Sequence, residues 1–312
     1  MSDSVPAASL FDDAAVRGLL DPDKLLFALR QALIDLALGR VTQPLRSTMA
    51  VGEGVLFLKP ACTDTALAVK LITLFPGNPS RHLPTLMSTI VLMEPSTGRP
   101  LAVLNGEWIT AMRTAAVSAL AVATLSDPAA CVVALLGSGV LARTHAAFLR
   151  KVRPVQDIRV WSPTKAHAQR CADDIGGTTC AEPADAVEGA DIVCTLTNAT
   201  TPILRGAWLK PGAVVAAVGA PRPQWRELDD EVMRHVLVAD SREAAETESG
   251  DVILSGAKAY AELGEILAGV KPLPPSGSTV VFKSMGMAVE DAVAARLVYE
   301  AFLAQRRKDE VR

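Results

Sequence analysis

The stretch CVVALLGSGVLA, residues 131–142, constrains this chain more than any other. Residues 131–136 form a short apolar run of β-branched and aliphatic side chains, the composition of a buried parallel strand. Gly137-Ser138-Gly139 interrupts it, and Val140-Leu141-Ala142 opens a helical pattern that continues through Ala146 and Leu149. A strand, Gly-x-Gly-x-x-Ala and a helix, in that order, make a dinucleotide-binding turn. The first glycine permits the tight turn, the second lets backbone approach a pyrophosphate, and the small third residue lets the helix lie close to the strand. The helix start adds free N–H groups and a partial positive charge for the phosphates. Gly137, Ser138, Gly139, Val140 and Leu141 are therefore expected at a cofactor. A glycine turn that only packs is the alternative for the same residues.

A second strand is predicted over 158–161, ended by Ser162-Pro163-Thr164. An NAD-binding unit usually carries a carboxylate there, about 20 residues past the glycines, on the adenine ribose. Here the positions hold Ser162, Pro163, Thr164 and Lys165. Hydroxyls and a lysine suit a 2′-phosphate, so NADPH is expected, with NADH possible. The competing reading is a solvated loop in which Thr164 caps the next helix. Helices over 164–175 and 184–189 and strands over 191–195, 213–218 and 236–239 continue the pattern. Thr197, Asn198 and Val218 fall at strand ends, where ligands sit in open α/β sheets.

The chain has 312 residues, room for two domains, and half of them are apolar. A net charge of −3 gives no reason to expect nucleic acid. Five cysteines, odd in number and without Cys-x-x-Cys spacing, fit a reducing, cytoplasmic compartment. The acidic N-terminal segment does not read as a signal peptide, and no apolar run approaches about 18 residues, so no membrane is expected.

Ahead of the glycine turn, Asp21 and Pro22 start a helix over 21–40 whose Leu25, Leu29, Leu33 and Leu36 share one face. Short strands are predicted over 48–51, 54–59, 66–74 and 85–93, too closely spaced for βαβ units and so antiparallel. Two basic residues stand out: Arg46 after Gln43-Pro44-Leu45, and Lys70 inside an apolar strand. Such a lysine either reaches the surface or meets an anion in a cleft. Arg113 lies near the start of an apolar helix over 108–125, as a structural ion-pair partner or as a carboxylate clamp. The chain enters the Rossmann domain near Asp127-Pro128. A last strand at Val280 leads through Lys283-Ser284-Met285-Gly286 into a helix.

These segments together resemble the ornithine cyclodeaminase/mu-crystallin family over nearly the whole chain. The resemblance is carried by QPLR at 43–46, AVKL at 68–71, EPSTGRPLAVLNG at 94–106, ITAMRTAAVSALA at 109–121, GSGVLA, PGAVVAAVGAPRPQWRELDDEVM at 211–233 and VFKSMGMAVEDAVAA at 281–295. The segments from Val218 onward resemble the mu-crystallin branch most. The resemblance implies an α/β fold: a Rossmann domain, here 127–284, and a second α/β domain of 1–126 completed by the returning segment 285–312. The short antiparallel strands of that second domain would form a homodimer contact. It also implies that Arg46, Lys70 and Arg113 bind a substrate carboxylate, that Thr85 lies near the nicotinamide, and that Lys283 and Ser284 belong to a loop reaching the cofactor. Asp291, in AVED, is expected to serve the helix start.

Two departures from the family pattern bear on the reaction. Cyclodeaminases and alanine dehydrogenases of the family carry an aspartate as general base where this chain has Pro221, and a proline cannot take a proton. Many members have histidine where this chain has Leu86. Oxidation of an amine needs such a base, whereas reduction of a formed imine does not. The expectation is an NAD(P)H-dependent ketimine reductase acting on 1-piperideine-2-carboxylate or 1-pyrroline-2-carboxylate to give L-pipecolate or L-proline. Lys70 is the candidate proton donor. Ornithine cyclodeamination, amino-acid dehydrogenation and NADPH-dependent binding of a thyroid-hormone-type ligand are the alternatives. No metal is expected.

Overall fold

A computed structural model describes residues 7–310 and falls into two units, one ending at Arg113 and resuming at Met287, the other running from Thr114 to Gly286. In chain order the first unit holds β1 (Ser9–Phe11), α1 (Asp13–Leu19), α2 (Pro22–Ala37), β2 (Ser47–Val51), β3 (Gly54–Cys62), β4 (Leu67–Leu74), β5 (Leu86–Met93), β6 (Pro100–Asn105) and the start of α3 (Glu107–Leu125). The second holds the rest of α3, then β7 (Val132–Leu136), α4 (Val140–Val152), β8 (Asp157–Trp161), α5 (Lys165–Ile175), β9 (Thr178–Thr179), α6 (Pro183–Val187), β10 (Ile192–Thr195) and β11 (Val214–Ala217). It closes with β12 (Val236–Ala239), α7 (Arg242–Glu248), α8 (Gly250–Ser255), β13 (Ala259–Glu262), α9 (Leu263–Leu267) and β14 (Val280–Lys283), and α10 (Ala288–Glu310) returns to the first unit.

The first unit is a six-stranded sheet in the order β1-β6-β5-β4-β3-β2, antiparallel from β2 to β6, with β1 parallel to β6 at one edge. The side chain of Asp21 accepts hydrogen bonds from the backbone of Asp23 and Lys24, and α2 buries Leu25, Leu29 and Leu33. Helix α10 packs on α2 and on β3 and β4. The buried face of the sheet follows strand alternation: Ala68 and Lys70 from β4, and Ser88, Ile90 and Leu92 from β5. Lys70 therefore points inward because of its parity in the strand. The sequence reading ended the second strand at Lys59, but β3 continues through Pro60 to Cys62. Proline can sit there because β2 stops pairing at Leu58, so the missing N–H faces no ladder. Strands β1 and β6 went unpredicted; three residues, in β1, are too few to show an alternation.

The second unit is an eight-stranded sheet, parallel throughout, in the order β13-β12-β14-β11-β10-β7-β8-β9. From β7 the chain winds outward to β8 and β9, then restarts on the other side with β10. The switch point lies between β7 and β10, where a crevice opens at the carboxyl ends of the strands. The two units divide at 113/114 and 286/287, whereas the sequence placed the divisions at 126/127 and 284/285. Helix α3 is the reason: it runs unbroken past Arg113, and its later residues bond within the second unit. Ser118 bonds His145, and the Val122 and Ala123 carbonyls accept from Arg153. By length and composition α3 is apolar enough to cross a membrane, which corrects the reading that no run approaches that length. Most of it is buried, as in a core helix.

His145 is fully buried in α4. Its Nδ1–H donates to the Leu141 carbonyl at 2.7 Å, which leaves Nε2 to accept from the Ser118 hydroxyl at 3.0 Å. Burial brings its pKa down to about 4, against the pull of the Leu141 bond. The unfolded chain thus takes up a proton at higher pH than the folded one. Stability is fully present above the ordinary histidine range and is lost as pH falls from about 6.5 toward 4. Denaturant titrations should show a loss of up to about 3 kcal/mol across that window, and His145→Gln should flatten the slope.

Candidate active site

In the first unit the charged residues gather at the start of α10. Glu290 and Asp291 occupy its first turn, where carboxylates suit the helix dipole, and the Val289 N–H donates to the Gln43 side chain at 3.0 Å. Asp291 is the hub. Its Oδ1 accepts from Lys70 Nζ at 2.7 Å and from Arg113 Nε at 3.2 Å. Arg113 also bonds Glu290 at 2.8 Å through a terminal nitrogen, and Lys70 donates to Thr110 Oγ1 at 3.1 Å. Lys70, Arg113, Glu290 and Asp291 are all buried.

Two half-buried cations complete the group. Arg46 stands just before β2, its guanidinium 5.1 Å from the centre of the Phe57 ring. Lys59 on β3 lies directly opposite Lys70 on β4. Burial pulls the Lys70 ammonium down to about 7, Arg113 and Lys59 push it the same way, and Asp291 opposes them. Burial would raise the Asp291 carboxyl, but Lys70, Arg113 and Lys59 overrule it and hold the group below the usual carboxylate range. Arg46, Lys59, Lys70 and Arg113 thus gather around Glu290 and Asp291, a cation-rich setting that suits an anion.

The sequence reading brought Arg46, Lys70 and Arg113 forward, and the structure groups all three. It passed over Lys59, Gln43 and Glu290, and it assigned Asp291 only to the helix start. Lys59 escaped because the register that sets it opposite Lys70 is not visible in the strand itself. Thr85 is exposed in this same unit, just ahead of β5.

In the second unit Gly137, Ser138, Gly139, Ser162, Thr197 and Asn198 line one groove of about 450 Å³ at the switch point. Gly137 has φ +130°, and a Cβ there would meet the Leu196 carbonyl oxygen at 2.7 Å. A Cβ on Gly139 would meet nothing within 4 Å, so the second glycine faces open space on the groove side. Ala142 is fully buried, as close strand–helix packing requires. A pyrophosphate fits this cradle: Gly139 leaves room for it, and no side chain caps the start of α4. Val140 is exposed and Leu141 half-buried in the first turn of that helix. Thr164 and Lys165 are exposed at the start of α5, and the Thr164 side chain does not cap it.

Lys283 and Ser284 require a correction. Lys283 is fully buried on β14, donating to the Gly219 carbonyl and, at 2.8 Å, to Asp251. The Ser284 hydroxyl donates to Asp240 at 3.2 Å. Both turn into the protein because Asp251 and Asp240 wait there, so they brace the strand ends instead of reaching out. Asp251 also accepts from the backbone of Glu227 and Leu228, and Glu227 accepts from the Thr197 N–H at 2.7 Å and its hydroxyl at 2.6 Å. Burial pushes the Glu227 carboxyl up, against Lys283 and these Thr197 bonds. Val218, at the end of β11, is tied to Thr195 by its N–H, and Ala220 beyond it has φ 53° before Pro221. Sequence reasoning missed Glu227 and Asp251, although WRELDDE and ESGDVILSGA were the segments to search. Among the described residues no cluster of His, Cys, Asp and Glu could hold a metal.

The sequence profile of the ornithine cyclodeaminase/mu-crystallin family matches residues 9–306. A ketimine reductase mu-crystallin from Macropus fuliginosus is 46% identical over 289 residues, covering 89% of this chain and 92% of that protein. Among solved structures, a Delta(1)-pyrroline-2-carboxylate reductase from Thermococcus litoralis, in complex with NADH and L-proline, superposes with a TM-score of 0.90 at 32% identity, over 95% of this chain and 98% of that one. An archaeal alanine dehydrogenase dimer with bound NAD has a TM-score of 0.90 at 27% identity, over 96% and 97%.

The two glycines separate fold from ligand. Gly137→Ala should lower stability by about 1–3 kcal/mol, because its left-handed backbone and the Leu196 carbonyl both reject a Cβ. Gly139→Ala should keep the wild-type Tm and weaken dinucleotide binding roughly tenfold or more, as measured by fluorescence titration.

Proposed function

We propose that this chain, which belongs to the ornithine cyclodeaminase/mu-crystallin family, is a nicotinamide-dependent imine reductase. Its substrate is a cyclic imine with a carboxylate on the C=N carbon, 1-piperideine-2-carboxylate or 1-pyrroline-2-carboxylate, and its product L-pipecolate or L-proline. The observation that carries this is the cluster of Arg46, Lys59 and Arg113 around the fully buried Lys70. The cations hold the carboxylate, and the lysine, brought to about 7, supplies a proton at physiological pH. Pro221 stands where amine oxidation would need a base, which favours the reductive direction.

Arg46 and Arg113 hold the carboxylate, with Lys70 as a third positive charge. Glu290 and Asp291 fix the Arg113 fork before substrate arrives, so little ordering is left to do on binding. Lys70 donates to the imine nitrogen, since an iminium carbon accepts a hydride far better than a neutral imine. A bound reduced dinucleotide supplies the hydride, held by the Gly137–Gly139 turn with Thr197 and Asn198. NADPH is the proposed form. No carboxylate follows β8, and no acidic residue lies in the first turn of α5, where Lys165 stands instead. A homodimer belongs to the same reading: β2 is exposed along its whole length at the sheet edge, with Met49 52% exposed, and an uncovered edge of this kind invites a second copy. The five thiols are all free, in keeping with a cytoplasmic location.

NADPH absorbance should fall on addition of 1-piperideine-2-carboxylate, and no turnover with it or with 1-pyrroline-2-carboxylate would sink the reading. Lys70→Ala should lower kcat about 100-fold with dinucleotide affinity unchanged. A rise in KM alone would make Lys70 a clamp and not the acid. Because the acid works in its protonated form, wild-type rates should decline as pH rises through about 7.

The cofactor preference has its own test. NADPH should bind more tightly than NADH, and Lys165→Ala should weaken NADPH alone; equal affinities in the wild type would remove the case for a 2′-phosphate site.

A further inference from the structure

We propose that Lys59 is a positioning residue for the reduction: standing opposite Lys70 across β3 and β4, its charge makes the Lys70 ammonium a readier proton donor to the imine nitrogen. The proposal rests on the imine-reductase reading and adds to it a residue outside the carboxylate clamp. Directly opposite residues of an antiparallel pair hold their Cβ atoms roughly 4.5–5.5 Å apart, and like charges so placed weaken the sheet. The flanking pairs on this face are Phe57 with Ile72 and Ala61 with Ala68, all apolar. Lys59 and Lys70 are thus a charged pair set between apolar ones on the same face of β3 and β4.

The charged groups around Lys70 come from four of the elements near it, while β5 sets the apolar Ile90 opposite it. Arg46 stands ahead of β2, Lys59 on β3, Arg113 on α3, and Glu290 and Asp291 on α10; Thr110 of α3 adds a hydroxyl. Asp291 steadies the ammonium, whereas burial, Arg113 and Lys59 unsettle it. Without Lys59 the pair Lys70–Asp291 would hold its proton to higher pH.

The charge balance gives the direction. Lys70 shares its surroundings with three further cations and two carboxylates, and the substrate carboxylate adds another negative group. Proton transfer from Lys70 to nitrogen moves charge within the site without changing its sum. A hydride from a bound reduced dinucleotide would break the C=N π bond and form a C–H bond, and its negative charge would be received more readily beside Lys59 and the other cations. Lys70 then regains its proton from water. Lys59 thus favours both the donation and the arrival of the hydride.

The test compares Lys59→Met, which keeps length and loses charge, with Lys59→Arg, which keeps charge. One measurement is kcat/KM against pH with NADPH and 1-piperideine-2-carboxylate; titration of the imine itself is common to all variants and cancels. The other is the NMR titration of the Lys70 side chain in protein carrying 13C-labelled lysine, assigned by its loss in Lys70→Ala. In Lys59→Met the alkaline limb and the Lys70 titration should both move up by about half a pH unit or more, while Lys59→Arg stays with the wild type. Lys59→Gln gives the same reading should the methionine variant not fold. An unmoved Lys70 in the uncharged variants, or an equal shift in Lys59→Arg, overturns the proposal. Absence of imine turnover in the wild type would sink the functional reading instead, and the NMR titration would still decide the role of Lys59.

Discussion

One carboxylate, Asp291, makes the first unit's site possible. A lysine and an arginine buried together are unstable neighbours, and the desolvation of each amounts to several kcal/mol. Asp291 offsets this by accepting from both through a single oxygen, and Glu290 takes the other side of the Arg113 fork. The arrangement does not neutralise the site. It leaves a positive remainder fixed in a low-dielectric setting, where a small anion is attracted strongly and needs little side-chain rearrangement to be held. The same burial weakens the hold of Lys70 on its proton. Anion binding and acidity are thus two results of one packing arrangement.

The second unit uses buried charge differently. Lys283 pairs with Asp251, Asp251 accepts from the backbone of Glu227, and one Glu227 oxygen accepts from Thr197, so the charged groups act as braces. They tie the ends of β10, β11 and β14 to the segment after Pro221. Asp240 does likewise for the turn after β14, accepting from the backbone of Met285 and Gly286. A parallel sheet ends in loops that must hold still if a dinucleotide is to find its contacts, and these hydrogen bonds provide that stillness.

What the sequence disclosed follows from distance along the chain. The glycine turn is local: strand, two glycines and helix lie within a dozen residues, and their conformations follow from neighbours. Lys70 could be singled out because an ionised side chain in an apolar strand is anomalous by itself. Its partner could not, since Asp291 lies 221 positions away and looks like an ordinary acidic residue at a helix start. Lys283 shows the converse. Its place in the family-like segment suggested an outward reach, but Asp251, 32 positions earlier, decides which way it turns. Lys59 depended on which residue of the neighbouring strand it faced, and register is the least locally determined feature of a sheet. Local chemistry was readable, and pairing across the sheet or between its strands and α10 was not.

The return of α10 to the first unit has a consequence for how the protein is made. The six-stranded sheet and its cations leave the ribosome early, but Glu290 and Asp291 emerge only after the entire parallel sheet has been synthesised. Until then Lys59, Lys70 and Arg113 have no counter-charge from this helix, and the apolar surface that α10 covers on β3 and β4 stays wet. The nascent first unit is therefore held open, while the second can close around its own residues. Completion of the chain is the event that dehydrates the cations, so a polypeptide stalled before residue 287 presents a sticky, positively charged sheet of the kind that chaperones and proteases recognise.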